Sequence, residues 1–420
     1  METQGTTQKL VFDSTAKLIE SLHTFRQNKS ILINPDYLDD ENLPEDERTA
    51  VLKEIFNNNI REKQLSRIIS HLAPVLDGAR PTSALIYGPT GSGKTVSLIH
   101  VLSIFKKVAG QHSIDFDYRY IDLTSPKTYF GALNEVAIAL DSANRKYRKG
   151  IPIEFMQEKI VAAMARHKGF LALLIDEADN IRPNPDAFLT YLGKTIPRKV
   201  SCRLILILLT NRLDWEKTLD PRILSFLKKT DIIFEPYDAL DLFEILNLRA
   251  EKALRTDKVD PAALKKMAAY ASRETGDARK AVELLSKSVR IAEETTGYLG
   301  EEEVDLAESR LEVDKTSELI RALATHQRLA LGACYSILNN GKRKVSTGEA
   351  YEAYNDICKK QNFRALTQRR FCDMISFLDL YGLINSRVVS LGRYGKTREI
   401  MGSLSDKVIS GFKATCKNYS

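Results

Sequence analysis

Eight consecutive residues narrow the folds open to this chain more than anything else in it: Gly88, Pro89, Thr90, Gly91, Ser92, Gly93, Lys94 and Thr95. They fill the pattern G-x-x-x-x-G-K-[ST]. A short apolar run, 83–87, precedes them, and a helical pattern over 95–109 follows, with Thr95 and Val96 at its start. The chemistry requires that strand–loop–helix setting. Glycines let backbone N–H groups wrap a row of phosphates, Lys94 can reach the outer two, and the Thr95 hydroxyl can ligate magnesium. The helix N-terminus aims its positive end at the same point. Residues 88–96 are therefore candidate ATP or ADP contacts, with Mg2+ as the accompanying ion.

The neighbouring sequence suits the sheet that such a loop caps. Runs at 83–87, 116–122, 170–176, 203–210 and 231–234 are apolar, bounded by polar or Gly/Pro residues and too short for stable helices. Helical patterns lie between them at 95–109, 126–147, 155–167 and 185–196. Largely apolar strands separated by helices predict a parallel five-stranded sheet covered on both faces. Beyond Pro236 only helical patterns remain, at 240–255, 261–275 and 277–296, and the acidic run Glu301–Glu303 reads as a solvated connector. A third unit has helical patterns at 316–338, 346–360 (Ser346 or Thr347 as cap) and 367–380 (Thr367 as N-cap). Two strands follow, 383–390 and 396–401, about a turn at 392–395. Three helices and a hairpin make a winged helix. Upstream, 31–33 is a short apolar run, 34–47 an acidic loop and 50–75 helical.

Composition excludes other classes. The longest apolar stretches, 170–175 and 204–209, fall far short of the ~20 residues that span a bilayer. Residues 1–10 are polar, unlike a secretory leader. Cys202, Cys334, Cys358, Cys372 and Cys416 are scattered without metal-ligand spacing, which predicts reduced thiols in an intracellular protein. The net charge is +7, unevenly spread. Residues 321–420 hold 17 Lys+Arg against 7 Asp+Glu, a net of +10, so the first 320 residues sum to −3. Clustered cations bind phosphates by releasing counterions, which points to a polyanion partner for the C-terminal end.

Three further motifs complete a nucleotide site. The run LALLIDEAD, 171–179, is a strand ending in acids. Asp176 is placed to hold magnesium through water, and Glu177 to orient or deprotonate an attacking water. Phosphoryl transfer rests on such positioning and electrostatics. Acids ending a strand need no chemical role, but about 80 residues after a phosphate loop they acquire one. The run LILILLTN, 204–211, ends in Asn211, which can fix the water or the γ-phosphate from the adjacent strand. GDAR, 276–279, brings Arg279 from the helical segment, where it can tell triphosphate from diphosphate.

These four signals in this order, followed by a helical lid, resemble the AAA+ ATPases. More closely, 234–249 (FEPYDALDLFEILNLR), GDARKAVELL and the terminal winged helix resemble the archaeal origin-recognition and cell-division-control initiators. Those are relatives of the largest eukaryotic origin recognition subunit and of the protein that helps load the replicative helicase. The resemblance runs from about Phe25 to Met401. It implies an AAA+ base at 1–235, a lid at 236–312 and a winged helix at 313–420. It also implies that Tyr237 packs on the nucleotide with Arg249 beside it, and that an insertion at 126–151, with Lys127, Arg145, Lys146, Arg148 and Lys149, touches DNA. Ala178 stands where relatives carry a larger aliphatic residue. Arg222 is the one arginine of 219–227, and Phe226 occupies the usual place of a trans-acting arginine.

The winged helix has its own signals. Gln368, Arg369 and Arg370 open the third helix, where a recognition helix meets base edges. Phe371, Ile375 and Leu378 give it a core face. Arg393, Tyr394, Lys396 and Arg398 form a basic wing with an aromatic, suited to backbone and minor-groove contact. The resemblance implies an ATP-dependent replication initiator with slow, switch-like ATPase activity, cytoplasmic and nucleoid-associated. Its partners would be double-stranded origin DNA, other initiator copies or paralogues and the replicative helicase, with no membrane. The alternatives are a signal-transduction ATPase acting as a transcription regulator, and a non-catalytic DNA-binding regulator with structural nucleotide.

Overall fold

All five apolar runs form strands: β1 (Ala84–Tyr87), β2 (Phe116–Asp122), β3 (Phe170–Asp176), β4 (Arg203–Thr210) and β5 (Thr230–Ile233). The computed structural model describes residues 30–39, 45–58, 60–125, 128–141, 150–182, 185–227, 229–338, 342–390, 396–404 and 408–409. Its chain divides into two compact units, Met1–Val304 and Asp305–Ser420. In the first, every pairing within the five-stranded sheet is parallel and the sheet order is β2-β3-β4-β1-β5.

Alternation along the strands sorts their side chains between two cores. Leu171, Leu173 and Ile175 join Leu204, Leu206 and Leu208 on one face, against α4 (Tyr129–Leu140), α5 (Ile153–Met164) and α6 (Pro185–Thr190) through Leu133, Ile160 and Phe188. Ala172 and Leu174 join Ile205, Ile207 and Leu209 on the other, against α2 (Glu62–Leu72) and α3 (Lys94–Gln111) through Ile68, Leu98 and Leu102. Successive Cβ atoms point to opposite faces, so a strand apolar throughout must be covered on both. The central strands β4 and β1 then bring their C-terminal ends, and the loops that follow, to one edge of the sheet.

Several boundaries differ from the sequence pattern. The expected helix over 50–75 is two helices, α1 (Glu45–Asn57) and α2, broken at Arg61, whose φ of 67° is left-handed. The 185–196 pattern yields only six residues of α6 before a π turn, Tyr191–Thr195. There Gly193 admits the Phe226 ring of α7 (Pro221–Leu227), which a Cβ would meet at 2.5 Å. Of the 126–147 pattern, α4 covers Tyr129–Leu140, with the Thr128 hydroxyl accepting from Gly131 N as cap. Residues 126–127 and 142–149, which carry all the basic side chains expected to touch DNA there, lie outside the described residues.

The segment after β5 is helical as expected: α8 (Ala239–Ala253), α9 (Pro261–Glu274) and α10 (Ala278–Glu294), capped by Asp238, Asp260 and Asp277. Glu301–Glu303 precedes the boundary between the two units, as a connector would, but it is helical and not solvated throughout. It is the first turn of α11 (Glu301–Ala322), and Glu303 is buried. Its carboxylate accepts from Gly300 N at 3.1 Å and from the Thr296 hydroxyl at 3.1 Å. Acids in a first helical turn satisfy free N–H groups and complement the dipole. The helix expected over 316–338 is accordingly interrupted, and α12 (Thr325–Leu338) starts afresh with Gln327 Oε1 accepting from Ala324 N.

In the second unit, α12, α13 (Thr347–Lys360) and α14 (Gln368–Leu380) pack with an antiparallel sheet, β6 (Val345–Ser346), β8 (Lys396–Gly402) and β7 (Ile384–Ser390), in that order. Ser346 and Glu349 form a reciprocal capping box at α13. Phe371, Ile375 and Leu378 are fully buried, as their spacing predicts. Among the described residues no helix is long and apolar enough to cross a membrane, and Cys202, Cys334, Cys358 and Cys372 are free thiols.

Candidate functional site

The phosphate loop turns from β1 into α3 through two left-handed glycines, Gly91 (φ 69°) and Gly93 (φ 82°). A Cβ on Gly91 would overlap the Asp277 carboxylate, and one on Gly93 would overlap the Tyr237 hydroxyl. Both positions are therefore glycine for conformation and for close approach. Lys94 opens α3 and is 6% exposed. Its Nζ donates to Gly88 O at 2.7 Å, Pro89 O at 2.9 Å and Asn211 Oδ1 at 2.7 Å. Burial holds the ammonium below its ordinary pKa, against the opposing pull of Asp176 and Glu177.

The acids stand beside it. Thr95 Oγ1 donates to Asp176 Oδ2 at 2.5 Å, and the Tyr120 hydroxyl of β2 donates to the same oxygen at 3.3 Å. Glu177 leaves β3 with a left-handed backbone, φ 53°. A non-glycine residue keeps that conformation only where its surroundings impose it. Asn211 Nδ2 donates to Glu177 Oε1 at 2.7 Å, and Asn180 Nδ2 donates to Oε2 at 3.3 Å. Burial pushes the Glu177 carboxyl above the usual range; the Asn211 bond opposes this, and the charges of Asp179 and Asp176 add to it. Asn211 therefore links Lys94 to Glu177 through its two side-chain atoms, and residues that stand apart in sequence form one hydrogen-bonded row.

This donor set suits Mg2+. Thr95 and Asp176 offer hard oxygens side by side, and among the described residues no group of three or more His, Cys, Asp or Glu gathers as a self-sufficient cage. Magnesium characteristically takes one or two carboxylates and completes its shell with phosphates and water.

The lid meets the loop directly. Asp277 accepts from Arg279 N at 2.8 Å as cap of α10, and Ala278 N donates to Gly91 O at 3.2 Å. Arg279 is exposed, and its charge bears on both Lys94 and Tyr120. Tyr237 is 6% exposed, donates from its N to Gly276 O at 3.0 Å and carries the Arg61 guanidinium 3.8 Å over its ring. Arg249, buried on α8, donates to Tyr37 O at 3.0 Å, so its described hydrogen bond ties the lid to the N-terminal segment. Arg61, Tyr120, Asp179, Asn180 and Thr210 escaped the sequence reading. Asp179 and Asn180 stand two and three residues after Glu177, a proximity that could have flagged them; Arg61 carries no such signal.

In the second unit Gln368, Arg369 and Arg370 open α14 and are exposed. Thr367 occupies the N-cap position, without a side-chain cap bond. Arg398 is not at a wing tip. It lies within the ladder opposite Val388, and its guanidinium donates to the Ser376 hydroxyl of α14 at 2.5 Å. Lys396 begins β8, whereas Arg393 and Tyr394, like Lys127, lie outside the described residues.

Comparison with known proteins gives three family matches: an AAA domain over residues 78–214, a Cdc6 AAA+ ATPase-type lid domain over 243–309 and a CDC6 C-terminal winged helix domain over 318–410. An ORC1-type DNA replication protein of Pyrococcus horikoshii is 34% identical over 349 residues, 81% of this chain and 82% of the relative. An ORC1-type DNA replication protein 1 of Sulfurisphaera tokodaii is 31% identical over 401 residues, 95% of each. The solved structure of Aeropyrum pernix ORC1 in complex with DNA matches with a TM-score of 0.69 and 32% identity, covering 91% of this chain and 96% of that one.

Proposed function

This chain belongs to the family of ORC1-type DNA replication proteins, with an AAA domain, a Cdc6-type lid and a winged helix, and on that premise we propose that it is an ATP-switched initiator. In this reading it binds origin DNA and helps recruit the replicative helicase. The observation that carries the ATP half is the row Lys94–Asn211–Glu177 alongside Thr95–Asp176 at the mouth of the phosphate loop. We read the domains as 1–235 base, 236–312 lid and 313–420 winged helix.

Residues 88–96 cradle the phosphates of ATP, and Lys94 exchanges its bonds to the Gly88 and Pro89 carbonyls for β- and γ-phosphate oxygens. Thr95 and Asp176 would hold Mg2+, which when bound supplies charge neutralisation at those oxygens. Movement of Lys94 toward phosphate releases Asn211 Oδ1 and leaves Asn211 and Glu177 to orient the attacking water. Glu177, kept basic by burial, takes its proton. Arg279 approaches the γ-phosphate from the lid, and Tyr237 and Arg249 border the nucleotide. Every donor on Lys94 and both oxygens of Glu177 are already engaged, so hydrolysis requires rearrangement. That requirement supports slow turnover suited to a switch.

The DNA half rests on the exposed Gln368, Arg369 and Arg370, the net +10 of residues 321–420 and the DNA complex of the Aeropyrum pernix relative. Arg393, Tyr394 and Lys396 add the wing, Arg398 adds a cation from the strand behind it, bonded to Ser376 of α14, and Lys127 adds a contact from the base. Other initiator copies and the helicase would be partners once DNA is bound. The test is genomic footprinting of the full chain with ATP and with ADP. One or a few nucleotide-dependent sites fit an initiator; occupancy spread over many promoters would overturn that role in favour of transcription regulation.

A further inference from the structure

Two loops and two strands meet beside the acids, and one hydroxyl joins them. Thr210 ends β4 and is 1% exposed. Its backbone pairs opposite Tyr87, the last residue before the phosphate loop. Its Oγ1 donates to Asp179 Oδ1 at 2.8 Å and accepts from Arg212 N at 3.0 Å. Asp179, 8% exposed, sits in the short 3-10 turn Ala178–Asn180 that follows Glu177. The ladder between β3 and β4 ends at Ile175 and Leu208. Past that point the backbone no longer sets the spacing of the two segments, and the side chains must.

We propose that Asp179 is a positioning residue for ATP hydrolysis. By accepting from Thr210 it clamps the turn that carries Glu177 against the strand end that carries Asn211. This inference rests on the ATPase reading above. Thr210 is held from both sides, by β1 through its backbone and by Asp179 through its hydroxyl, so it relays the position of the phosphate loop to the acid turn. Asn211, the next residue, then reaches Lys94 and Glu177 at 2.7 Å each. The left-handed backbone at Glu177 needs such an external hold. Asp179 touches neither phosphate nor water in this scheme; it acts through Thr210 and Asn211.

The test uses the full chain. Asp179→Ala and Thr210→Val should each slow single-turnover ATP hydrolysis about tenfold to a hundredfold, the loss expected when a reacting group shifts by roughly 1 Å. ATP affinity should stay within about threefold, because the phosphate loop is untouched. The double variant should be no slower than Thr210→Val alone, since that change already removes the bond to Asp179 together with the one from Arg212 N. Asp179→Asn keeps the accepting Oδ1, and Thr210→Ser keeps the hydroxyl, so both should restore the rate. A second readout needs no turnover. The Asn211 side-chain amide resonance of the nucleotide-free protein should move in Asp179→Ala and Thr210→Val and return in Asp179→Asn and Thr210→Ser. An unmoved Asn211 amide in Asp179→Ala, or an Asn variant as slow as the Ala variant, overturns the clamp. A wild-type protein that hydrolyses no ATP would instead overturn the ATPase reading, and the amide resonance would still decide the clamp.

Discussion

Glu177→Gln separates binding from chemistry at this site. The substitution keeps shape and one acceptor: a glutamine Oε1 can still receive Asn211 Nδ2, now 2.7 Å from the glutamate oxygen. It removes a carboxylate whose charge is disfavoured by burial and by Asp179 and Asp176. The folded protein should therefore lose no stability, and ATP, itself polyanionic, should bind as tightly or more tightly. Hydrolysis loses its general base. Such bases contribute about 10²–10⁴ in rate, which at about 1.4 kcal/mol per decade is roughly 3–5 kcal/mol of barrier. Single-turnover release of labelled phosphate, filter binding of ATP and a melting curve measure the three quantities on one preparation. Hydrolysis within threefold of wild type, or loss of ATP binding together with hydrolysis, would refute the role given to Glu177.

Three further outcomes follow from the same physical picture. Lys94→Ala removes the cation of the phosphate loop and takes the donor from Gly88 O and Asn211 Oδ1, so filter binding should detect no ATP retention; wild-type affinity would contradict the loop assignment. If Arg369 and Arg370 meet DNA phosphates, replacing both with alanine should flatten the slope of log affinity against log salt by up to about 2, and an unchanged slope in a salt titration would remove them from the interface. Glu349 has its pKa depressed to about 2 by Lys342, 2.6 Å away, and by the Ser346 N–H and hydroxyl. A depressed carboxyl stabilises the fold above its unfolded value and loses that contribution as pH falls toward the folded one. Melting of the winged-helix unit should weaken between about pH 4.5 and pH 2, modestly because the side chain is partly exposed. Glu349→Gln should flatten that dependence; an identical pH profile in the variant would contradict the linkage.

Local chemistry explains what could be read without a structure. The phosphate loop is eight adjacent residues whose glycines, lysine and threonine act where they stand. The five strands are apolar runs bounded by breakers, and a strand apolar on both faces implies a sheet covered on both. The acids after β3 and the amide after β4 follow directly from those strands. The core face of α14 follows from the spacing of Phe371, Ile375 and Leu378. Each of these signals lies within one element.

Tertiary structure decided what depends on distant partners. The order β2-β3-β4-β1-β5 is set by pairing between runs far apart in the chain, and it makes Thr210 a neighbour of Tyr87. The Asp179–Thr210 bond joins residues 31 apart, and the Asp277 carboxylate reaches Gly91 from the lid. Arg61 looked like one more helical arginine; a left-handed backbone and the Tyr237 ring made it a break and a buried cation. Glu301–Glu303 looked like a solvated run, yet the Gly300 N–H and the Thr296 hydroxyl that precede it made it a helix start with Glu303 buried. Composition and periodicity report what a segment prefers alone. A hydrogen-bond partner, a close glycine approach or a turn across a sheet edge belongs to two segments at once, and only their packing brings those segments together.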